Sequence, residues 1–535
     1  MRGTMRSGSA PDAGPWIALV GLGLAAAVLA LIGLGDLPLR DFDEATVARV
    51  ALELRHGLGE APLIPTLWGQ PYLNKAPGLH SLIALVISTT TRPDQLPSEW
   101  TVRLAPALLS SLVVPLGGWL QWMLRPGDRS IALATSLILL TLLPVARHGR
   151  LAMLDGTQLT AMALLWLALL QLNRSRCSGF WGTTAGLTSS AMLLLKAPLL
   201  VPAVVAGVLA LAWGNEWRTW NNHGAALSGT VLGLVPGVGW HLWHAHIRGS
   251  QALWLWGGDG AGRVLLDAGE GSDLGWRVPL IEVLEGGWPW LPLVPFALIW
   301  AWQWRQSRWS RWSISCLFTL AGAILPLRTQ LPWYSHPLWL PIALLCAPLL
   351  AWLVERPLSS KSAPESPNPP WRWLLLQLPM FWCGLGLLLL LLWLSSFSDI
   401  GSSLVPYRNL AGALGLGWCL GGWWLLSATP QKRRLGVIYL SCGNVAALAL
   451  LFQSPLWLWE LNETWPVQPV AALARANPGS KIRLKGYDER PSLNWYAEQR
   501  IERFKGGPGR RLSDKPQKDC ITEVQASRWT LANCR

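Results

Sequence analysis

The chain has 535 residues, is 51% hydrophobic and only 14% charged, and has a mean hydropathy of +0.31. An average soluble domain carries about 25% charged residues, so a polytopic membrane protein is the class to test. A net charge of +14 would suggest nucleic-acid binding in a soluble chain. Here Lys and Arg are scattered through short connections between apolar runs, with no zinc-finger spacing and no basic base-reading helix.

Met1 to Gly14, with Arg2 and Arg6, precedes an apolar run at 16–35. That run is too long for a cleaved leader and has no small-residue cleavage site, so it reads as an uncleaved first span with a cytoplasmic N-terminus. Further apolar segments lie at 103–124, 129–146, 157–173, 180–195, 197–213, 224–243, 289–304, 311–327, 334–354, 372–396, 409–427 and 435–453. By the hydropathy rule these predict about thirteen transmembrane helices. The stretch 180–213 is divided at Lys196-Ala197-Pro198, where a charge and a proline mark a break. The run "GLHSLIALVISTT" at 78–90 is too short to cross and reads as a juxtamembrane helix. Many of the 37 Trp, such as Trp100, Trp288, Trp290, Trp333 and Trp371, sit at the ends of apolar runs, as suits the membrane–water interface.

With the N-terminus inside, every inner connection is basic, from Arg125 and Arg129 to Lys432, Arg433 and Arg434. The outer connections hold the acids Asp41, Asp43, Glu44, Asp155, Asp259, Asp267, Glu270, Asp273, Glu282, Glu285 and Asp399. They also hold Lys75, Arg147, Arg150, Lys196, Arg248 and Arg328, and these outer cations need another explanation. The predicted layout is a multi-spanning catalytic unit over 1–454. Its extracytoplasmic loops lie at 36–102 and 244–288, and its cytoplasmic linker at 355–371 contains "PLSSKSAPESPNPP". Residues 455–535 are polar and predict a small extracytoplasmic α/β domain, with a strand at 481–487 and a helix over 492–504. Cys316, Cys346, Cys383, Cys419 and Cys442 lie in apolar runs, whereas Cys520 and Cys534 lie in this tail and could pair if it is outside. No internal repeat is apparent, which weakens a transporter built from inverted halves.

This topology collects Asp43, Glu44, Lys75, Asp155, Lys196 and the stretch Arg328 to His336 on one membrane face. Each has a plainer reading. Asp43-Glu44 could cap the amphipathic helix "DFDEATVARVALELRHG", Asp155 could cap the helix after it, and Lys75 could snorkel. Lys196 resists the plainer reading, because a charge inside an apolar stretch costs about 2.5–3.5 kcal/mol if central. A carboxylate and several cations at a membrane rim suit group transfer from a lipid-linked phosphate. The cations would stabilise the leaving phosphate, and the carboxylate would take a proton from the incoming hydroxyl.

The motifs resemble a known family. "DFDEATVARVALELRHG" followed by "PTLWGQPYLNKAPGLHSLIALV" is similar to the first extracytoplasmic loop of the ArnT-like and protein-mannosyltransferase-like glycosyltransferases of the GT-C type. "ARHGRLAMLDGTQLTAMALLW", "LLLKAPLLVPAVV", "EGGWPWLPLVPFAL" and "LPWYSHPLWLPIALL" resemble later segments of the same family in the same order, over about residues 16–350. The resemblance implies an all-α polytopic GT-C fold and an inverting glycosyltransferase of the cell inner membrane. The donor would be a polyprenyl-phosphate sugar and the acceptor an extracytoplasmic lipid, glycan or protein, as in lipid A modification or protein glycosylation. On the positions that match, it implies Asp43 as general base with Glu44 and Asp155 as its acidic companions. It places Lys75, Lys196, Tyr334 and Tyr72 around the donor phosphate, and Arg328 and His336, which flank Tyr334 without matching the family's pattern, are added there as candidates. No cofactor is implied; a divalent cation at Asp43, Glu44 and Asp155 would be the one metal to consider. Thr46 and Val47, Lys75-Ala76-Pro77, Lys196-Ala197-Pro198 and Trp333 depart from the family's pattern, which leaves the sugar and the acceptor open. The alternative class is a polytopic transporter or flippase, which would predict charges at mid-span depth and paired broken helices.

Overall fold

The structure is a computed structural model and describes residues 14–57, 61–172, 177–216, 223–257, 277–327, 330–355, 372–457, 465–477, 481–515, 520–526 and 528–534. Helix α1 (Trp16–Leu31) is apolar on every side, and Ile17, Val20, Leu24 and Val28 on its outer face are exposed to the surroundings a membrane would supply. A loop leads to α2 (Glu44–Arg55) and to a two-stranded hairpin, β1 (Thr66–Leu67) and β2 (Gln70–Pro71). At the hairpin's turn Trp68 and Gly69 both have positive φ, 54° and 71°, the pattern of a tight two-residue hairpin loop. A tryptophan rarely adopts that backbone. Here buried Glu53 stabilises it by accepting from Trp68 N at 2.7 Å, Gly69 N at 3.2 Å and Thr66 Oγ1 at 2.7 Å.

The juxtamembrane segment forms α3 (Gly78–Thr90), packed on α2 and on α4 (Glu99–Ser111). Ser98 caps α4, its hydroxyl accepting from Thr101 N at 3.2 Å. The bundle continues through α5 (Val113–Leu124), α6 (Arg129–Thr141), α7 (Leu143–Gly149), α8 (Leu154–Leu172), α9 (Ser178–Lys196), α10 (Leu200–Trp213) and α11 (His223–Arg248). Next come α12 (Arg277–Gly286), α13 (Val294–Gln303), α14 (Arg308–Ile324), a 3-10 turn at Pro332–Leu338, and α15 (Trp339–Glu355), the most enclosed helix of the bundle. Then α16 (Leu378–Ser395), α17 (Arg408–Leu425) and α18 (Pro430–Phe452) pack in sequence. Helices α9 and α11 meet through small residues four apart. A Cβ on Gly182 or Gly186 would strike α11 backbone at 2.2 Å, and one on Gly233 would strike Thr183 O at 2.4 Å.

All thirteen apolar segments become helical, but length and composition alone qualify six stretches as membrane-crossing. A seventh is added if α6 and α7, bent by 60° at Leu142, are one span. The predicted count of about thirteen is not reached by that measure among the described residues. Helices α1 (16 residues), α13 (10) and α14 (17) are short, and α8 carries Asp155, Thr157, Gln158 and Thr160 in its first two turns. The two spans predicted at 180–195 and 197–213 form one 36-residue helical stretch, interrupted at Lys196 (φ −131°, ψ 79°) by a single 3-10 turn. Its halves serve different neighbours, α9 lying along α11 and α10 along α14.

The chain ends in a small α/β unit: α19 (Gln468–Ala476), β3 (Ile482–Leu484), α20 (Pro491–Ala497), β4 (Glu502–Arg503), β5 (Gly509–Ser513), β6 (Cys520–Ala526) and β7 (Trp529–Cys534). The sheet order is β4-β3-β5-β7-β6, with β3 parallel to both neighbours and β7 antiparallel to both of its own. Cys520 and Cys534 lie directly opposite each other on β6 and β7 and form a disulfide. The helix predicted over 492–504 ends early, because Glu498 turns left-handed (φ 53°) and the chain re-enters the sheet as β4.

Candidate active site

The loop between α1 and α2 divides three carboxylates among three partners. Asp43 N donates to Asp41 O at 2.8 Å across Phe42, whose φ of 59° makes this a left-handed γ-turn. That reversal sends the two aspartates in different directions.

Asp41 goes to the C-terminal unit. Its buried carboxylate accepts from Arg490 Nε at 2.5 Å and Ser492 N at 3.0 Å, and from the Ser492 hydroxyl. Nearby, Tyr496 Oη accepts from Leu39 N at 2.7 Å and donates to Glu99 at 2.8 Å. The sheet unit is thereby fastened to the loop and to α4.

Glu44 goes to the bundle. Arg103 on α4 donates to both of its oxygens at 2.7 Å, Ala152 N donates at 2.9 Å, and Arg40 N at 3.2 Å. The remaining donors of Arg103 reach the carbonyls of Leu34, Leu37 and Pro38. Both side chains are fully buried. Burial alone would raise the Glu44 pKa, but the Arg103 charge and these bonds outweigh it and hold the carboxyl below its usual value. Glu44 is a fastener of the loop with no oxygen left over for a reacting group or a metal.

Asp43 is the one left facing the cations. It stands at the N-cap position of α2 yet makes no capping hydrogen bond. Its carboxyl is pushed up to about 6, first by burial and then by the charge of Asp155, against the opposing pull of Lys196 and Lys75. Asp155, in the first turn of α8, is likewise engaged elsewhere than at a cap. It accepts from Lys196 Nζ at 2.9 Å. The break that ends α9 at Lys196 brings this lysine to Asp155, and the Tyr334 ring lies 4.8 Å from Nζ. Tyr72, next after β2, is buried close enough to Asp43 that burial and that charge both push its phenol up. Its ring meets His80 edge-on at 5.7 Å. His80 is kept neutral, its pKa pulled down to about 4 chiefly by burial. His336 is buried beside the Asp155–Lys196 pair, with both ring nitrogens lacking a hydrogen-bond partner among the described residues. The His148 ring lies 5.9 Å from it. Of the nine predicted site residues, Asp43, Tyr72, Lys75, Asp155, Lys196, Tyr334 and His336 thus converge, and Glu44 braces them from behind. Arg328 lies outside the described residues.

Two of the remaining outer cations are explained by packing. Arg147 Nε donates to Trp457 O at 2.8 Å, and the Arg150 guanidinium lies 4.0 Å from the Phe452 ring and 4.2 Å from that of Trp457. Among the described residues no group of three or more His, Cys, Asp or Glu side chains could hold a metal ion.

Residues 46–251 match the model of the family described as dolichyl-phosphate-mannose-protein mannosyltransferase. Two solved structures superpose over nearly the whole chain. ArnT from Cupriavidus metallidurans bound to undecaprenyl phosphate gives a TM-score of 0.67 at 16% identity, covering 97% of this chain and 98% of that one. The same protein in the apo state gives 0.68 at 15% identity with the same coverage. The chain has the GT-C fold. No curated protein sequence matches it significantly. Within this GT-C chain the family-matched segment contains Tyr72, Lys75, Asp155 and Lys196. Asp43 and Glu44 immediately precede it, and Tyr334 and His336 follow it.

Proposed function

We propose that the protein is an inverting glycosyltransferase that moves a sugar from a polyprenyl-phosphate donor to a hydroxyl-bearing acceptor on the extracytoplasmic side of the inner membrane. The observation that carries this reading is Asp43: an uncapped carboxylate in a low-dielectric pocket, flanked by Lys75 and by the Lys196–Asp155 pair, on a fold shared with a protein that binds undecaprenyl phosphate.

The acceptor oxygen attacks the anomeric carbon from the side opposite the phosphate. A new glycosidic bond forms as the bond from that carbon to the phosphate oxygen breaks, and the acceptor's proton passes to Asp43. A base with a pKa near the working pH is suited to that step, and burial has moved Asp43 in that direction. The leaving polyprenyl phosphate takes the electron pair. Its second pKa is about 6, so it needs no proton from an acid, in contrast to glycoside hydrolysis. Lys196 and Lys75 neutralise the charge that develops on the phosphate. Asp155 and the Tyr334 ring are positioning residues that fix the Lys196 ammonium. His336, a neutral imidazole beside that lysine, donates from one ring nitrogen to a phosphate oxygen and accepts at the other from a sugar hydroxyl.

The test is transfer from a radiolabelled polyprenyl-phosphate sugar by the purified full chain, with lipids and glycans of the envelope as acceptors and mass spectrometry of the product. Asp43→Asn should insert and fold normally and transfer nothing. Near-normal transfer by that variant would remove Asp43 as the base.

A further inference from the structure

A pocket of about 240 Å³ opens beside the first turn of α2, its wall including Ala45 and Thr46, two and three residues after Asp43. Three separate parts of the chain build it. Helix α2 contributes Thr46 and Arg49, the hairpin contributes Trp68 and Gln70, and the C-terminal unit contributes Glu489 and Asn494. Thr46 stands three residues after Asp43 on the same helix, so their side chains are neighbours. On the hairpin side the pocket reaches Pro71, and the next residue, Tyr72, feels the charge of Asp43. Thr46 thus belongs both to the pocket wall and to the immediate surroundings of the proposed base.

Its charges are already compensated. Arg49 pairs with Glu53 at 2.7 Å and lies 3.7 Å over the Trp68 ring. Glu489 accepts from Arg500 Nε at 2.9 Å and from Asn494 Nδ2 at 2.8 Å, and Asn494 Oδ1 accepts from Ile501 N at 2.8 Å. The wall is thus rich in planar hydrogen-bonding groups held in fixed orientation, yet each guanidinium has its own carboxylate. Such a wall, dense in hydrogen-bonding groups and without excess charge, suits a neutral polyhydroxylated ligand. Trp68, Leu67 and Pro71 add the apolar surface that the C–H face of a sugar ring requires. The volume lies below the range of about 300–1,000 Å³ typical of drug-sized ligand sites, as fits a single small ring.

We infer that this pocket seats a neutral sugar unit of the acceptor, so that the acceptor is a glycan or a glycolipid headgroup. The inference rests on the transferase reading above. The test is saturation-transfer NMR on the full chain in nanodiscs with methyl glycosides of glucose, mannose and N-acetylglucosamine. Inorganic phosphate and a serine-containing hexapeptide are run in parallel with phosphorus and proton detection. In a separate melting experiment, undecaprenyl phosphate is added to each variant. At least one glycoside should bind the wild type. Its binding should weaken about tenfold in Thr46→Trp, which fills the pocket, and in Trp68→Ala, the size of one lost aromatic or hydrogen-bond contact. Gln70→Ala, on the exposed hairpin, supplies the comparison if Trp68→Ala fails to fold. Undecaprenyl phosphate should raise the melting temperature of wild type and variants alike. Glycoside binding that is absent, or indifferent to these substitutions, overturns the inference. So does pocket-dependent binding of the phosphate or the peptide instead. Failure of undecaprenyl phosphate to stabilise even the wild type overturns the donor reading, and the acceptor role with it.

Discussion

Asp43, at the scale of one residue, is a carboxylate whose environment disfavours its charge. The pocket pushes its pKa to about 6, so the basic form is lost as the medium becomes acidic through that value. The transfer rate should therefore rise as pH increases to about 6 and flatten above it, and the acid limb should vanish in Asp43→Asn along with the activity. A pH–rate profile of the wild type checks this; an acid limb centred near pH 4 would mean that the pocket does not perturb Asp43. The stability sign runs the other way. A carboxyl with a raised pKa binds its proton more tightly when folded, so folding stability falls as pH rises from about 4 to about 6 and that cost persists at neutrality. Asp43→Asn, neutral at every pH, should melt no lower than the wild type at pH 7, measured by thermal unfolding in detergent. For Lys196→Ala the loss of a charge-assisted contact, about 1.5–3 kcal/mol, should appear as a 10- to 150-fold higher donor requirement, with little change in melting temperature once its partner Asp155 is also replaced by Asn.

Helix α4 and the α1–α2 loop show, at the scale of elements, how the Asp43 carboxylate is kept in place. Glu44 and Arg103 form a fully buried ion pair, and breaking one side leaves the other charged and unpartnered in a dry interior. Arg103→Met or Glu44→Gln should each destabilise the fold by about 3–5 kcal/mol, whereas the double replacement should recover much of that loss. Thermal melting of the two single variants and the double variant measures it. Equal losses in all three would mean that the pair is not coupled. The positions of the apolar helices and of the C-terminal α/β unit were legible in the sequence, because hydrophobic runs of membrane length and a polar tail are local signals. Lys196 was legible because a charge in "MLLLKAPLL" has a cost that demands a reason. Arg103 stands at the first position of the apolar segment 103–124, where a charge is ordinary, and so its role was not legible. Its partner Glu44 is 59 residues away, and that of Asp41 is 449 residues away, separations no periodicity encodes. Helix lengths were legible only in part. Gln158 and Thr160 are compatible with an apolar run yet shorten its apolar portion, and the break at Lys196 is a kink in one long helix where a charge and a proline suggested a turn between two.

The whole molecule is a helical bundle with a disulfide-bonded sheet unit fastened over its first loop. Arg490, Ser492 and Tyr496 make that attachment through Asp41, Leu39 and Glu99. Asp41→Ala removes the buried partner of Arg490. It should lower transfer at least as strongly as it lowers stability, although residue 41 contacts no substrate in the proposed reaction. Limited proteolysis would register the release of the C-terminal unit, and activity retained after such release would separate the sheet from catalysis. One residue, Phe42, lies between the carboxylate that holds the sheet and the carboxylate that faces the lysines. Two residues of chain span at most about 7 Å, so no slack exists to absorb a displacement. The γ-turn is then a short mechanical linkage. The sheet unit grips one side of Phe42 through Asp41 and the bundle grips the other through Glu44, so Asp43 is held from both directions within four residues of chain.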